Sequence, residues 1–377
     1  MRAHVLTDAR LVKLAGRFVW LSIDTEQPRN ADFVARFPID AWPSILVVDP
    51  ATEEVVLRWA GTATAEQIER LALDGERALH AKGASRADQA LARADRLLGE
   101  REHAKAAAAF REAVAAGGPR WTGRSRAAEA AVQALGIAGE PLACADAARE
   151  LLPAVTSAAS RARVAAQGLS CAVSVDDERA RAERVPPLEA EARRALTAKG
   201  VLGDDRSWLY DVLSEARDKA GDEAGKLRFA REWLAFLDRE TRKARTPAER
   251  SAFDGQRVSA ALRLGAPEKA LPAIEASMRD LPRDYVPPTL AGVLYLELGR
   301  GADALAAADR ALALAEGPRR IRVLVLKAQA QQALGAAPAA RATLEQALRE
   351  GEALPEGRRP TGYVRRARQL LEEMGQG

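Results

Sequence analysis

The residues that could do chemistry in this chain are few and widely spaced. Its two cysteines, Cys144 and Cys171, stand 27 positions apart. Each lies in a helical pattern, with no Cys-x-x-Cys and no nearby ligand set. Disulfide exchange needs a thiol pair whose pKa a helix N-terminus can lower. Without that pair, both cysteines are expected to be small core residues rather than reactive thiols. His4, His80 and His103 are scattered, which supports neither a metal site nor a base–nucleophile pair. Asp176-Asp177-Glu178 and Asp204-Asp205 precede helical stretches, where carboxylates meet exposed backbone N–H groups, so capping is the expected role. Gly117-Gly118-Pro119 follows a helix rather than a strand and ends in proline, unlike a phosphate-cradling loop. The expectation is a non-catalytic chain with no cofactor and no metal.

Composition narrows the classes further. The 377 residues are 47% apolar but only 5% aromatic, so the core must be built mostly of Ala, Leu and Val. The net charge of +4 and a pI near 9.2 come from Arg interleaved with acids, as in Arg179-Ala-Arg181-Ala-Glu183-Arg184. That is the pattern of solvated helix faces with i,i+4 pairing. No basic run carries interleaved aromatics, which argues against a nucleic-acid partner. No stretch approaches the ~20 apolar residues of a membrane span. Charges at Asp8, Arg10 and Lys13 break any signal-peptide core, so the location expected as written is the cytoplasm.

Two periodicities divide the chain. Within residues 1–82, Phe18–Asp24 and Ser44–Asp49 are short β-branched runs that read as strands covered on both faces. Asn30–Phe37 reads as a short helix between them. Asp49–Glu53 makes a turn into an antiparallel strand, Val55–Ala60. Thr64-Ala-Glu-Gln67 fits a capping box opening a helix to about Lys82. Ala81–Arg86 is a polar hinge, and from residue 85 to 377 the chain reads as helical throughout.

That helical part repeats. Gly265, Gly299 and Gly335 mark turns 34 and 36 residues apart, each followed five positions later by Ala270, Ala304 and Ala340. Between them Gly292, Ala304 and Ala311 are the small residues that let paired helices approach, and Tyr295 fills the gap beside them. Cys144 takes the same small-residue position as Ala304. A helix pair of this kind cannot bury its apolar face alone and must stack on neighbours. Val185-Pro186-Pro187 is expected to separate two helices. Thr361–Met374 is expected to close the array as a capping helix.

The N-terminal order resembles a thioredoxin-like α/β domain, on Phe18–Asp24, the Ala41-Trp42-Pro43-Ser44 turn and Gly61. Pro43 stands where that family keeps a cis proline, so the resemblance implies a cis Trp42–Pro43 bond. The family's Cys-x-x-Cys and central strand are both missing, leaving an incomplete sheet and a redox-inactive domain. A chain continuing upstream with a Cys-x-x-Cys would instead be a thiol–disulfide oxidoreductase, and periplasmic or other export would then suit it. Gly292, Tyr295, Gly299, Ala304 and Ala311, with Ala270 and Pro282 before them, resemble tetratricopeptide (TPR) repeats. The resemblance implies an all-α superhelical solenoid whose concave face takes a protein or peptide partner. The positions equivalent to the family's carboxylate clamp include Arg263, Thr289, Val293, Glu297 and Gln329, and they lack the clamp's Lys and Asn. The expected function is therefore a protein-interaction scaffold with a mixed polar groove.

Overall fold

The computed structural model describes residues 5–39, 42–80, 85–355 and 358–375. His4, Ala41 and most of the Ala81–Arg86 hinge lie outside these residues. The chain forms two compact units that do not follow the 1–82 boundary. One comprises Met1–Val19 with Ile39–Trp233, the other Trp20–Pro38 with Leu234–Gly377.

In the first unit, β1 (Ser44–Val48) and β2 (Val55–Ala60) pair antiparallel, with Ile45 opposite Trp59 and Val47 opposite Leu57. The expected turn joins them, its Asp49 carboxylate accepting from the Ala51 amide. The capping box forms as read. Thr64 Oγ1 accepts from the Gln67 amide at 3.1 Å, and Gln67 Oε1 accepts from the Thr64 amide at 2.8 Å. The helix it opens, Ala65–His80, buries Ile68 and Leu71 against Leu57, Trp59, Leu11 and Leu14.

Phe18–Asp24 corrects the sequence reading. It forms no strand, and among the described residues the sheet has two strands only. Val19 and Leu21 are exposed. β propensity is a preference for a pleated, half-buried surface, and without an adjacent sheet edge these residues have none to join. The segment Trp20–Pro38 belongs instead to the second unit. Its short helix, α1 (Ala31–Arg36), forms as expected and buries Val34. The Ala65–His80 helix is then α2.

The first unit continues as α3 (Arg86–Gly99), α4 (His103–Gly117), α5 (Arg124–Ile137), α6 (Pro141–Leu151), α7 (Ala158–Val173), α8 (Glu178–Leu196) and α9 (Gly203–Lys219). It ends within α10 (Glu223–Lys243). Consecutive helices pack as antiparallel neighbours around alanines, with Ala94, Ala106, Ala113, Ala131 and Ala162 fully buried. Pro186 and Pro187 do not break the chain but sit inside α8. The two carbonyls that lose their N–H partners belong to Ala182 and Glu183, which are exposed and can bond water. Leu188, one residue on, is buried and holds the helix to its neighbours.

Cys144 on α6 and Cys171 on α7 are joined by a disulfide, with Cα atoms 6.0 Å apart. This overturns the expectation of two independent thiols. The helix turn at Leu152–Ala154 returns α7 against α6, a proximity that helical periodicity does not encode.

The second unit holds α11 (Pro247–Ser251), α12 (Asp254–Arg263), α13 (Leu271–Asp280), α14 (Val286–Glu297), α15 (Gly301–Leu314), α16 (Arg319–Ala333), α17 (Ala337–Glu352) and α18 (Thr361–Gly375). The three glycine turns fall where the period puts them, at φ +68° for Gly265, +69° for Gly299 and +74° for Gly335. A left-handed residue just past a helix end is cheap only for glycine. Ala270, Ala304, Ala311 and Ala340 are wholly buried. A Cβ on Gly292 would stand 2.8 Å from Leu326 Cδ2, so the close approach it permits is to the next repeat. Tyr295 is buried, at 9% exposure. Its hydroxyl donates to Glu275 Oε1 at 2.9 Å, and the Arg300 guanidinium lies 4.5 Å from its ring centre. Tyr295→Ala should cost about 3 kcal/mol in urea denaturation, while Tyr295→Phe, losing the hydroxyl contact alone, should cost ~1 kcal/mol.

Candidate functional site

The first helices of the C-terminal pairs, α12, α14 and α16, lie beside one another, with α18 after α16. The groove residues named from sequence fall on these helices but are not equally available. Glu297 is exposed, and Arg263, Val293 and Gln329 are half-buried. Thr289 is not a groove residue. It is 1% exposed, and its hydroxyl donates back to the Tyr285 carbonyl at 2.7 Å, the usual way a helical Thr satisfies itself. Gly292, Ala304 and Ala311 are buried in the repeat core and present nothing to a partner.

A second polar site in this unit had no signal in the helical period. Arg319, the first residue of α16, donates from Nη2 to both carboxylate oxygens of Asp24, at 2.8 and 2.7 Å, and from Nε to Glu26 at 2.6 Å. Its guanidinium lies 5.3 Å from the Tyr285 ring centre. Arg358 Nη2 donates to the Glu26 carbonyl at 2.9 Å. The acidic turn is internally braced. Asp24 Oδ1 accepts from the Glu26 amide at 3.0 Å, and Asn30 Nδ2 donates to the Asp24 carbonyl at 2.7 Å. Partial burial would raise the Asp24 pKa, but the bonds from Arg319 and the Glu26 amide outweigh it and hold the carboxyl below its ordinary value.

In the first unit the Trp42–Pro43 bond is cis, as the resemblance implies, and the Pro43 carbonyl accepts from the Gly61 amide at 2.6 Å. The end of β2 is held by a buried ionic knot. Arg163 of α7 donates to the Ala60 carbonyl at 2.8 Å, pairs with Glu129 of α5 at 2.9 Å, and lies 4.9 Å from the Trp59 ring centre. Thr62 donates to Asp205 of α9 at 2.6 Å, and Gln67 reaches Ser160 at 3.1 Å. Burial pushes Glu129 up to about 7 against the pull of Arg163, and raises Asp205 as well. At 4% exposure Glu129 has no face to offer a substrate, so the knot holds structure rather than performing acid–base chemistry.

The knot has a pH signature. Asp254 in the second unit is likewise raised to about 6, chiefly by burial. Both acids hold protons more tightly folded than unfolded, so stability is fully present below about pH 4 to 4.5 as far as these groups go. It then falls as pH rises through 6 and 7. The lowered acids Asp24, Asp88, Glu191 and Glu350 act in a separate window, losing their contribution only as pH drops through their own depressed values. Urea midpoints should therefore be lower at pH 7.5 than at pH 5, and Glu129→Gln should flatten that slope for the first unit. An unchanged slope would remove Glu129 as its source.

No protein-family profile matches the chain, and no curated protein does. Solved structures do. A tetratricopeptide repeat protein from Parabacteroides merdae aligns over 76% of this chain and 98% of its own, at 10% identity and a TM-score of 0.50. The fold is a TPR-like helical repeat. Two further structures align more loosely. The ribosomal-protein RpL4 assembly chaperone Acl4 does so at 16% identity over 77% of this chain and 99% of its own, with a TM-score of 0.38. The TPR2AB domain of yeast Sti1 in complex with pHSP90 does so at 15% identity over 77% and 98%, with a TM-score of 0.30. The TPR-like fold accounts for the buried alanines and the glycine turns. The helical period does not account for Arg319, Arg358, Arg163 and Glu129, whose sequence trace is only their charge.

Proposed function

We propose that this protein is a non-catalytic interaction scaffold whose C-terminal TPR-like repeats hold a protein or peptide partner on the face of α12, α14 and α16. The observation that carries the reading is that these neighbouring first helices leave Arg263, Val293, Glu297 and Gln329 at least partly accessible, while the second helices spend their small residues on packing. That surface has the mixed polar character a peptide groove needs, and no clamp of Lys and Asn. A photo-crosslinking residue placed at Val293, Glu297 or Gln329 should trap one discrete partner in cells. The same residue at Arg341 or Glu345, exposed on α17, should not. Identical products from both sets of positions would sink the reading.

For residues 1–82 we retain a thioredoxin-like, redox-inactive domain as a proposal; what supports it is the β1–β2 hairpin followed by α2, although Trp20–Pro38 packs with the second unit. Without a Cys-x-x-Cys, the polypeptide starting at Met1 should show no thiol-dependent reduction of insulin above background. Turnover in that assay would overturn the redox-inactive reading.

A further inference from the structure

The segment Trp20–Pro38 meets Arg319 and Arg358 of the C-terminal repeats through Asp24 and Glu26. Val34 is its only buried residue, while Trp20 is 49% and Leu21 74% exposed. What the repeats supply is a cradle. Arg319 meets both oxygens of the Asp24 carboxylate from Nη2 and a second carboxylate, that of Glu26, from Nε. Lysine could not reproduce that geometry. Gly317, at φ +55°, lets the turn's backbone come close, for a Cβ there would stand 2.8 Å from the Glu26 carbonyl oxygen. Arg358 donates to that same carbonyl. The two acidic side chains and the Glu26 carbonyl are thus read together, with a spacing of Asp-x-Glu.

We propose that Gly317, Arg319 and Arg358 form a recognition site for an acidic Asp-x-Glu turn, that the chain's own Asp24-Thr25-Glu26 is its resident occupant, and that a partner peptide carrying the same turn displaces it. The Arg319 side chain is only 19% exposed, and its ion-pair partners among the described residues are Asp24 and Glu26. A guanidinium so enclosed is costly without an anion, which favours exchange of one acidic turn for another over an empty cradle. Val34 is the segment's one buried residue and Ile23, Phe33 and Phe37 are half-buried, so a competitor has to match the ionic contacts and only this much packing. The inference rests on the scaffold reading only in taking the partner to be a protein. The cradle, at the start of α16, is not the groove tested by crosslinking.

The probe is a fluorescein-labelled peptide with the sequence of residues 20–38, titrated into the full chain by anisotropy. The D24N/E26Q chain, its cradle emptied of carboxylates, should bind the peptide about tenfold or more tightly than the unaltered chain, and added salt should weaken the complex. Adding Arg319→Gln should abolish the gain, as should Asn and Gln at the peptide's two acidic positions. Equal binding by the unaltered and D24N/E26Q chains, or a gain indifferent to Arg319, overturns the proposal. Hydrogen exchange on the unaltered chain needs no variant to fold. Excess peptide should speed amide exchange across residues 20–38, and unchanged rates there would equally overturn it. Neither readout depends on crosslinking at Val293, Glu297 or Gln329, so each idea can fail alone.

Discussion

Replacing Arg163 with alanine should lower the unfolding free energy of the N-terminal unit by about 3–5 kcal/mol, the usual cost of stranding one member of a buried ion pair. Three losses coincide. Glu129, 2.9 Å away, is left buried without its counter-charge. The Ala60 carbonyl loses a donor at 2.8 Å, although Gln133 still reaches it at 3.1 Å. The Trp59 ring loses the cation beside it. Urea denaturation followed by circular dichroism and tryptophan fluorescence measures the effect. A double variant, Arg163→Met with Glu129→Leu, should recover much of the loss, because a buried pair replaced whole by apolar groups leaves no orphaned charge. A double variant no better than Arg163→Ala alone would show that the contact to Ala60, rather than the ion pair, carries the stability.

Removing the Cys144–Cys171 bond should have an effect of similar size. Closing a loop across 27 residues restricts the unfolded chain by roughly 3–4 kcal/mol on the chain-entropy account. Spread over a unit of this size, that loss corresponds to a fall in melting temperature of ~6–15 °C. The C144S/C171S variant should show it, and so should prolonged reduction of the unaltered chain. Alkylation in denaturant without reductant tests the bond directly, and the purified protein should take up no label. Two labelled thiols would show the cysteines to be the separate core residues that their spacing suggests. A bond that persists in cells points to an oxidising compartment.

The legible and illegible parts of this chain differ in the range of the interactions concerned. The capping box at Thr64 and Gln67, the turns at Gly265, Gly299 and Gly335, and the buried alanines at 270, 304 and 340 are all local. Each depends on residues within one turn or one repeat, so spacing alone exposes them. Pro186-Pro187 misled because a break is the local preference, and packing through Leu188 overrode it. Phe18–Asp24 misled for the opposite reason. Its composition suits a strand, but strand formation is a property of the neighbour as much as of the segment. The disulfide, the Arg163 knot and the Arg319 cradle join residues tens to hundreds of positions apart, and no periodicity reports such a meeting. For the residues named as lining a groove, sequence placed them on helices but did not give their accessibility. Thr289 shows why: a polar residue at the right register can turn inward and bond its own backbone.

The 295-residue separation between Asp24 and Arg319 also governs when the molecule can finish itself during synthesis. At ~5–20 residues per second, a ribosome that has just released Asp24 needs roughly 15–60 s to make its cation. For that interval the nascent segment is an acidic tether beside exposed Trp20 and Leu21, open to chaperones before it meets its own repeats.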